Sequence, residues 1–302
     1  MSARIALAPA DAPTWLADAI RDGGGTLVEP AEADGLVWFG PFAPEDLGPL
    51  LDASPARWVQ LPWAGVEPYL GMLTPDRVWT CGKGVYAEAT AEHALLLALA
   101  MLRDLPRRVE ARTWEARSGR SLYDARVTIL GGGGIGESLL RLLAPFRCEV
   151  TVVRRHVSPM PGAARVVGPD DLHDALAGAD VVILALPLTS DTAGVIAAAE
   201  LKVMGGEAVL VNVARGGHVV TDDLVDALRD GTIAAAALDV TDPEPLPDGH
   251  PLWTEPRCLI TPHTANTPEM VRPSIEERIR ENVRRFGAGE PLVGVVDLEL
   301  GY

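Results

Sequence analysis

The sequence predicts an α/β protein of two domains, each a parallel sheet with helices on both faces, and three observations carry that expectation. Short apolar runs recur between Pro, Gly and Asp punctuation, the spacing of strands separated by turns. Over residues 127–153 the chain reads as strand, glycine turn, amphipathic helix and second strand without a break. At 302 residues it exceeds the common size of one domain, so two cores can form.

In chain order, residues 4–7, 36–39 and 58–60 are strand-like, and 12–23 suits a helix, which gives the front of the chain a small α/β character. Residues 87–103 predict a long helix, rich in Ala and Leu, that stops before Pro106 and is long enough to bridge two lobes. Strands at 127–130, 149–153, 181–186, 208–213 and 234–238 follow, with 258–260 as a candidate edge. Thr221 is expected to cap a helix over 222–229, with acids at its start and Arg229 at its end. Residues 268–286 alternate charged and apolar positions at helical spacing. That last helix is expected to return to the front domain and make it discontinuous: 1–98 with 267–302, around a second domain at 99–266.

The glycine turn is the strongest motif. Gly131, Gly133 and Gly136 stand at Gly-x-Gly-x-x-Gly spacing directly after a strand and at a helix start, where the backbone turns tightly and presses against a pyrophosphate. This predicts dinucleotide binding and Rossmann-like domains. An acidic residue usually receives the adenosine ribose about 20 residues further on, but here the second strand runs into Arg154, Arg155 and His156. A carboxylate there repels a phosphate, whereas planar guanidinium forks suit one, so NADP(H) is favoured. Read instead as solvated surface arginines, the pair leaves NAD(H) open. Glu137 beside the turn is compatible with a phosphate only if it points outward.

A formal net charge of -16 argues against nucleic acid or an anionic membrane as partner, without excluding an anionic substrate held by local arginines. Cys81, Cys148 and Cys258 are scattered and form no Cys-x-x-Cys, and the histidines show no ligand spacing, so neither a disulfide framework nor a metal site is expected. The first 30 residues carry Asp11, Asp18, Asp22 and Glu29 and no signal-peptide pattern. The apolar stretch 94–102 is too short to span a bilayer, so the cytoplasm is the expected location.

Polar residues follow the later strands, at the rim where open α/β sheets bind ligands. Asn212 and Arg215 follow one strand, Asp239 closes the next, Glu244 lies in a proline-rich turn, and His263 comes after the last. A histidine held by a carboxylate through one ring nitrogen is a suitable proton donor to a carbonyl undergoing reduction, and Glu244 could hold His263. Arg215 could grip a substrate carboxylate in a bidentate fork and polarise the adjacent carbonyl. Each residue alone also has a bland reading: a turn cap for His263, a solvated acid for Glu244, a local charge partner for Arg215. His93 beside Glu92 is read as structural, because adjacent helix residues point in different directions.

With those residues set out, the chain resembles the D-isomer-specific 2-hydroxyacid dehydrogenases. GGGGIG at 131–136, LPLTSDTAGVI at 186–196, NVARGG at 212–217, ALDVTDPEPLPDGHPLW at 237–253 and TPHTANT at 261–267 match that family's successive signatures, and AEHALLLALAMLR at 91–103 matches its interdomain helix. The resemblance implies that Arg215, Glu244 and His263 form a catalytic trio. It also implies that both chain ends build the substrate domain and that the protein is a homodimer acting on a small 2-oxo or 2-hydroxy acid. Ala64, Gly65 and Val66 match the carboxylate-binding turn, and Lys83 a position near the substrate. Gly134, Ile135, Leu186, Pro187, Thr189, Thr192, Val213, Ala214 and Asp239 match cofactor-lining positions, with Asp239 expected to face the nicotinamide amide. Arg154 stands where NAD-using members carry Asp, as in the NADPH-dependent glyoxylate and hydroxypyruvate reductases. Two other readings remain open: a dehydrogenase of phosphite or another small anion, and a non-catalytic dinucleotide sensor that binds a protein partner. The complete Arg215, Glu244 and His263 set counts against the sensor.

Overall fold

The computed structural model describes residues 2–40, 44–114 and 118–302. The chain divides into two compact units, Met1–Tyr86 with Pro268–Tyr302, and Ala87–Thr267. The first cut therefore falls before the long helix and not at 98/99. Packing explains the difference: helix Ala87–Leu102 buries Ala91, Ala94, Leu97, Ala98 and Met101 in the second unit's core, so none of it divides off with the front segment.

The first unit is a parallel sheet of β1 (Arg4–Ala8), β2 (Thr26–Leu27), β3 (Gly35–Trp38), β4 (Trp58–Gln60) and β5 (Val78–Thr80) in the order β2-β1-β3-β4-β5. Alternation along the strands feeds two cores, as the period of two requires. Ala6, Ala8, Leu36, Trp38 and Val59 pack on one face; Ile5, Val37 and Trp58 pack on the other. On that second face α1 (Thr14–Asp22) contributes Leu16 and Ile20, and the C-terminal helix Pro268–Ala288 contributes Val271, Ile275, Ile279 and Val283. The C-terminal helix thus completes the front unit's own core. A shorter helix, α2 (Leu47–Asp52), serves the first face through Leu47 and Leu51.

The second unit begins with α3 (Ala87–Leu102) and α4 (Leu105–Glu110). Its sheet comprises β6 (Arg126–Leu130), β7 (Glu149–Val153), β8 (Arg165–Val167), β9 (Val181–Leu184), β10 (Val209–Asn212), β11 (Ala235–Leu238) and β12 (Cys258–Ile260). All pairings are parallel, in the order β12-β11-β10-β9-β6-β7-β8. Between strands lie α5 (Gly134–Leu143), α6 (Leu172–Leu176), α7 (Ala198–Met204) and α8 (Thr221–Asp230). Val127, Ile129, Val181, Ile183, Val209 and Val211 join the core under α3 and α5, while Leu130, Val182, Leu184 and Leu210 join the opposite one. Both faces are covered, which is why these strands read as continuous apolar runs. Connections turn one way from β6 to β8 and the other way from β9 to β12, so the strand order reverses beside β6, where such sheets bind ligands.

Two local expectations are corrected. Thr221 is the first helical residue and not the cap: Val220 precedes the helix, and the Thr221 hydroxyl donates to the Asp242 carbonyl. The strand expected to reach residue 186 ends at Leu184, because Leu186 and Pro187 open the loop that follows.

Candidate active site

The turn after β6 is built so that only glycine fits where the backbone closes on itself. Gly131 has φ +115°, and a Cβ there would strike the Ala185 carbonyl; at Gly136 it would strike the Gly131 carbonyl. Gly133, by contrast, is exposed and has open space on its Cβ side. Gly134, Ile135 and Gly136 form the first turn of the ten-residue α5, whose unpaired amides favour an anion. Glu137 in that turn is exposed. Arg154, half-buried at the end of β7, lays its Cδ and Nε over Gly132. Arg155 instead pairs with Asp191 at 3.1 Å, so the phosphate-accepting reading rests first on Arg154. Both partners are substantially exposed, and such a pair is worth about 0.2–1 kcal/mol, little enough to exchange for a phosphate.

The loops after three adjacent strands carry the candidate trio. Fully buried Asn212 ends β10 and turns the chain locally: its Oδ1 accepts from Ala214 N at 3.1 Å and its Nδ2 donates to Arg215 O at 2.8 Å. This turn delivers Arg215, half-buried, whose guanidinium donates to the Ala214 carbonyl at 2.8 Å. Gly216 then packs so closely on the Thr241 carbonyl in the loop after β11 that a Cβ would collide with it. In that loop Glu244 Oε2 lies 3.4 Å from the Thr241 amide, and its Oε1 meets His263 Nδ1 at 2.6 Å. The structure therefore joins Glu244 to His263 and brings Arg215 to the neighbouring rim. Strand spacing of about 4.8 Å puts the tips of β10 and β12, whose following loops carry Arg215 and His263, about 10 Å apart.

His263 has φ +52°, a left-handed backbone that costs a residue with a side chain on the order of 1–3 kcal/mol. Asp239 supplies the restraint. Its backbone carbonyl accepts from His263 N at 2.8 Å, its Oδ1 accepts from Thr261 Oγ1 at 2.6 Å and Thr264 N at 2.9 Å, and its Oδ2 accepts from Ala265 N at 3.0 Å. Burial pushes this carboxyl up, but hydrogen bonds from His93, Thr261, Thr264 and Ala265 outweigh it and hold the group below the usual carboxylate range. The family resemblance implies that Asp239 faces the nicotinamide amide; in the structure its carboxylate oxygens also bond the loop that carries His263.

The loop 186–192 is knitted by Thr192, whose hydroxyl donates to Pro187 O at 2.7 Å and accepts from Thr189 N at 2.8 Å. Fully buried His218 faces the Leu186 and Thr192 carbonyls at 3.1 and 3.0 Å, a support that a histidine isolated in the sequence does not signal. Val213 and Ala214 are buried at the end of β10. Within the first unit, Ala64 is exposed, Gly65 is partly exposed and Val66 is buried, in a loop braced by Gly82 N on Trp63 O at 2.8 Å and Tyr86 OH on Pro62 O at 2.7 Å. Lys83 is exposed, its ammonium 5.1 Å from the centre of the Tyr302 ring.

Comparison with known proteins fits this geometry. The family model for the NAD binding domain of D-isomer specific 2-hydroxyacid dehydrogenases matches residues 93–265, which span the glycine turn and all three rim loops. This chain belongs to that family. It is an oxidoreductase of the D-2-hydroxyacid dehydrogenase type that uses a nicotinamide cofactor, close to the glyoxylate/hydroxypyruvate reductases. Glyoxylate/hydroxypyruvate reductase A of Photorhabdus laumondii is 32% identical over 88% of this chain and 87% of its own length. A D-isomer specific 2-hydroxyacid dehydrogenase from Xanthobacter autotrophicus Py2, solved with NADPH and MES, superposes with a TM-score of 0.88 at 29% identity, covering 100% of both chains. The NADPH-dependent glyoxylate/hydroxypyruvate reductase of Sinorhizobium meliloti, solved with NADP and sulfate, gives 0.84 at 25% identity, also over 100% of both. The glycine cradle suits the cofactor this dehydrogenase requires: closed where backbone meets backbone, open at Gly133. Among the described residues no helix is long and apolar enough to cross a membrane.

Proposed function

We propose that this dehydrogenase reduces a small 2-oxo acid of the glyoxylate or hydroxypyruvate type to the D-2-hydroxy acid, with NADPH as the preferred coenzyme. The observation that carries the reading is the 2.6 Å contact of Glu244 Oε1 with His263 Nδ1, on a rim shared with Arg215. Glu244 accepts the Nδ1 proton and fixes the ring, which leaves Nε2 to give a proton to the carbonyl oxygen. When bound, the nicotinamide supplies the hydride to the carbonyl carbon. Arg215 holds the substrate carboxylate in its fork and stabilises negative charge gathering on the neighbouring oxygen. By the family resemblance, residues 64–66 receive the substrate acid group and Lys83 stands near the substrate. Gly131, Gly133, Gly134, Ile135 and Gly136 hold the pyrophosphate, with Leu186, Pro187, Thr189, Thr192, Val213 and Ala214 along the cofactor.

Arg154 over Gly132 supports the NADPH preference, and the relatives from X. autotrophicus and S. meliloti were solved with NADPH and NADP. A homodimer is part of the same reading: Leu96, Leu105, Val109 and Trp114 of the second unit expose apolar side chains in one stretch of chain, Trp114 by 96%. The test is initial-rate reduction of a panel of 2-oxo acids graded in size and charge, with each coenzyme. Fastest turnover of glyoxylate or hydroxypyruvate with NADPH is the expected result. Oxidation of phosphite in place of 2-oxo acid reduction, or an inactive panel with intact coenzyme binding, would overturn it.

A further inference from the structure

The strongest unassigned feature is a polar contact in the second unit, where α3 touches the loop that carries His263. His93 is the seventh residue of this helix, with its side chain 14% exposed. Its Nε2 lies 2.9 Å from Thr261 Oγ1 and 3.3 Å from Asp239 Oδ1. One turn earlier on the same helix face, Thr90 Oγ1 accepts from Asn266 Nδ2 at 2.9 Å. The helix therefore holds both ends of the segment 261–266, and His263 lies between the two anchors.

Hydrogen-bond arithmetic fixes the direction of the contact. Asp239 is an acceptor only when ionised, so the single hydroxyl proton of Thr261 is spent on Oδ1 at 2.6 Å. Thr261 Oγ1 can then only accept from His93, which means that Nε2 of His93 carries the hydrogen. The chain of donors runs from His93 through Thr261 to Asp239. From Asp239 it continues through the backbone, whose carbonyl takes the His263 amide at 2.8 Å, and through the carboxylate, which takes the Thr264 and Ala265 amides at 2.9 and 3.0 Å. His263 keeps a left-handed backbone inside this frame, and its ring meets Glu244 at 2.6 Å.

We propose that His93 is a positioning residue for the proton-transfer pair, fixing through Thr261 and Asp239 the loop that presents His263 to Glu244. The inference rests on the proposed role of His263 as the proton donor. His93 contacts Thr261 and Asp239, and it acts by removing freedom from the segment between the helix and the His263–Glu244 pair. A displacement of about 1 Å at a reacting group can cost a hundredfold in rate. Loss of the His93 donor is expected to appear in kcat, with coenzyme affinity preserved.

The experiment compares the full-length His93→Ala, His93→Gln, Thr261→Val and His263→Ala variants and the His93→Ala/His263→Ala double variant. Readouts are kcat and KM for glyoxylate with saturating NADPH, and NADPH binding by fluorescence. His93→Ala and Thr261→Val should each lower kcat on the order of ten- to a hundredfold, with NADPH binding within about twofold of the parent. His93→Gln, which keeps an N–H donor, should recover most of the loss. In the His263→Ala background, removing His93 should cost nothing more, because no proton donor is left to position. A merely structural His93 would instead give losses that multiply, and that result overturns the proposal. Unchanged kcat in His93→Ala beside an inactive His263→Ala also overturns it, while leaving the reductase reading intact. If His263→Ala itself keeps normal turnover, the role assigned to His263 fails, and this inference fails with it.

Discussion

Replacing Glu244 with Gln keeps the size of the side chain and removes its charge, which isolates what the carboxylate does for His263. The 2.6 Å separation is that of a charge-assisted hydrogen bond. Bonds to charged groups contribute about 1.5–3 kcal/mol. The His263 and Glu244 side chains are 52% and 41% exposed, so solvent screens the pair and the lower part of that range applies, about 1.5–2 kcal/mol. If that energy is spent on orienting the ring as the donor, its loss corresponds to a kcat loss of about 10- to 30-fold. Removing the imidazole is harsher, because His263→Ala deletes the proton donor, typically about 10²- to 10⁴-fold. Steady-state reduction of glyoxylate at saturating NADPH measures both variants. The ordering is the sharp part: Glu244→Gln should be impaired, clearly less than His263→Ala, with KM for the 2-oxo acid moving less than kcat. Parental turnover in Glu244→Gln would refute the assignment of this carboxylate to His263. A loss equal to that of His263→Ala would show instead that Glu244 is itself the proton carrier.

Three further outcomes follow from the same geometry. Arg154→Asp places a carboxylate where the guanidinium lies over Gly132, and the ratio of kcat/KM for NADPH to that for NADH should reverse; an unchanged ratio means the phosphate is held elsewhere. Asp239 is held below the usual carboxylate range in the folded protein, so it contributes stability that is fully present above its unfolded value and is lost as pH falls through the depressed folded one. Urea titrations should therefore show stability dropping below about pH 4, with that component missing in Asp239→Asn; identical acid dependence in the two proteins would contradict the linkage. Gly131→Ala forces a Cβ onto the Ala185 carbonyl at a positive φ and should destabilise the protein and abolish coenzyme binding, whereas Gly133→Ala, with open space at its Cβ, should fold with parental Tm.

The second unit's sheet is legible in the sequence because both of its faces are covered. Strands such as Val181–Leu184 need apolar residues at every position, and such runs stand out between glycine and aspartate turns. Short elements leave a weaker pattern: Thr26–Leu27 has only two residues, Arg165–Val167 is a partly exposed edge, and Val78–Thr80 and the helices Leu47–Asp52, Leu105–Glu110, Leu172–Leu176 and Ala198–Met204 carry no sequence expectation. Helix 87–103 is legible as an element, but an apolar helix does not announce which core it enters, so the pattern does not fix a boundary within it. Ala91, Ala94, Leu97, Ala98 and Met101 all pack in the second unit's core.

The rim residues were readable for a different reason. Each of Arg215, Glu244 and His263 follows a predicted strand, so the parallel topology alone gathers them at one edge. His93 has no such signal. A lone histidine on an apolar helix matches a core histidine until the fold brings a residue 146 positions away, Asp239, against it. Burying that carboxylate is costly without partners, and the partners it has are two backbone amides and a hydroxyl of one short loop, with His93 behind them. A buried charge of this kind adds little net stability when compared with apolar packing, but it permits one arrangement of its donors and penalises others. The arrangement selected is the one in which His263 holds a left-handed backbone and reaches Glu244. The polar interior beneath the rim is therefore better explained by the placement of one imidazole than by the stability of the fold.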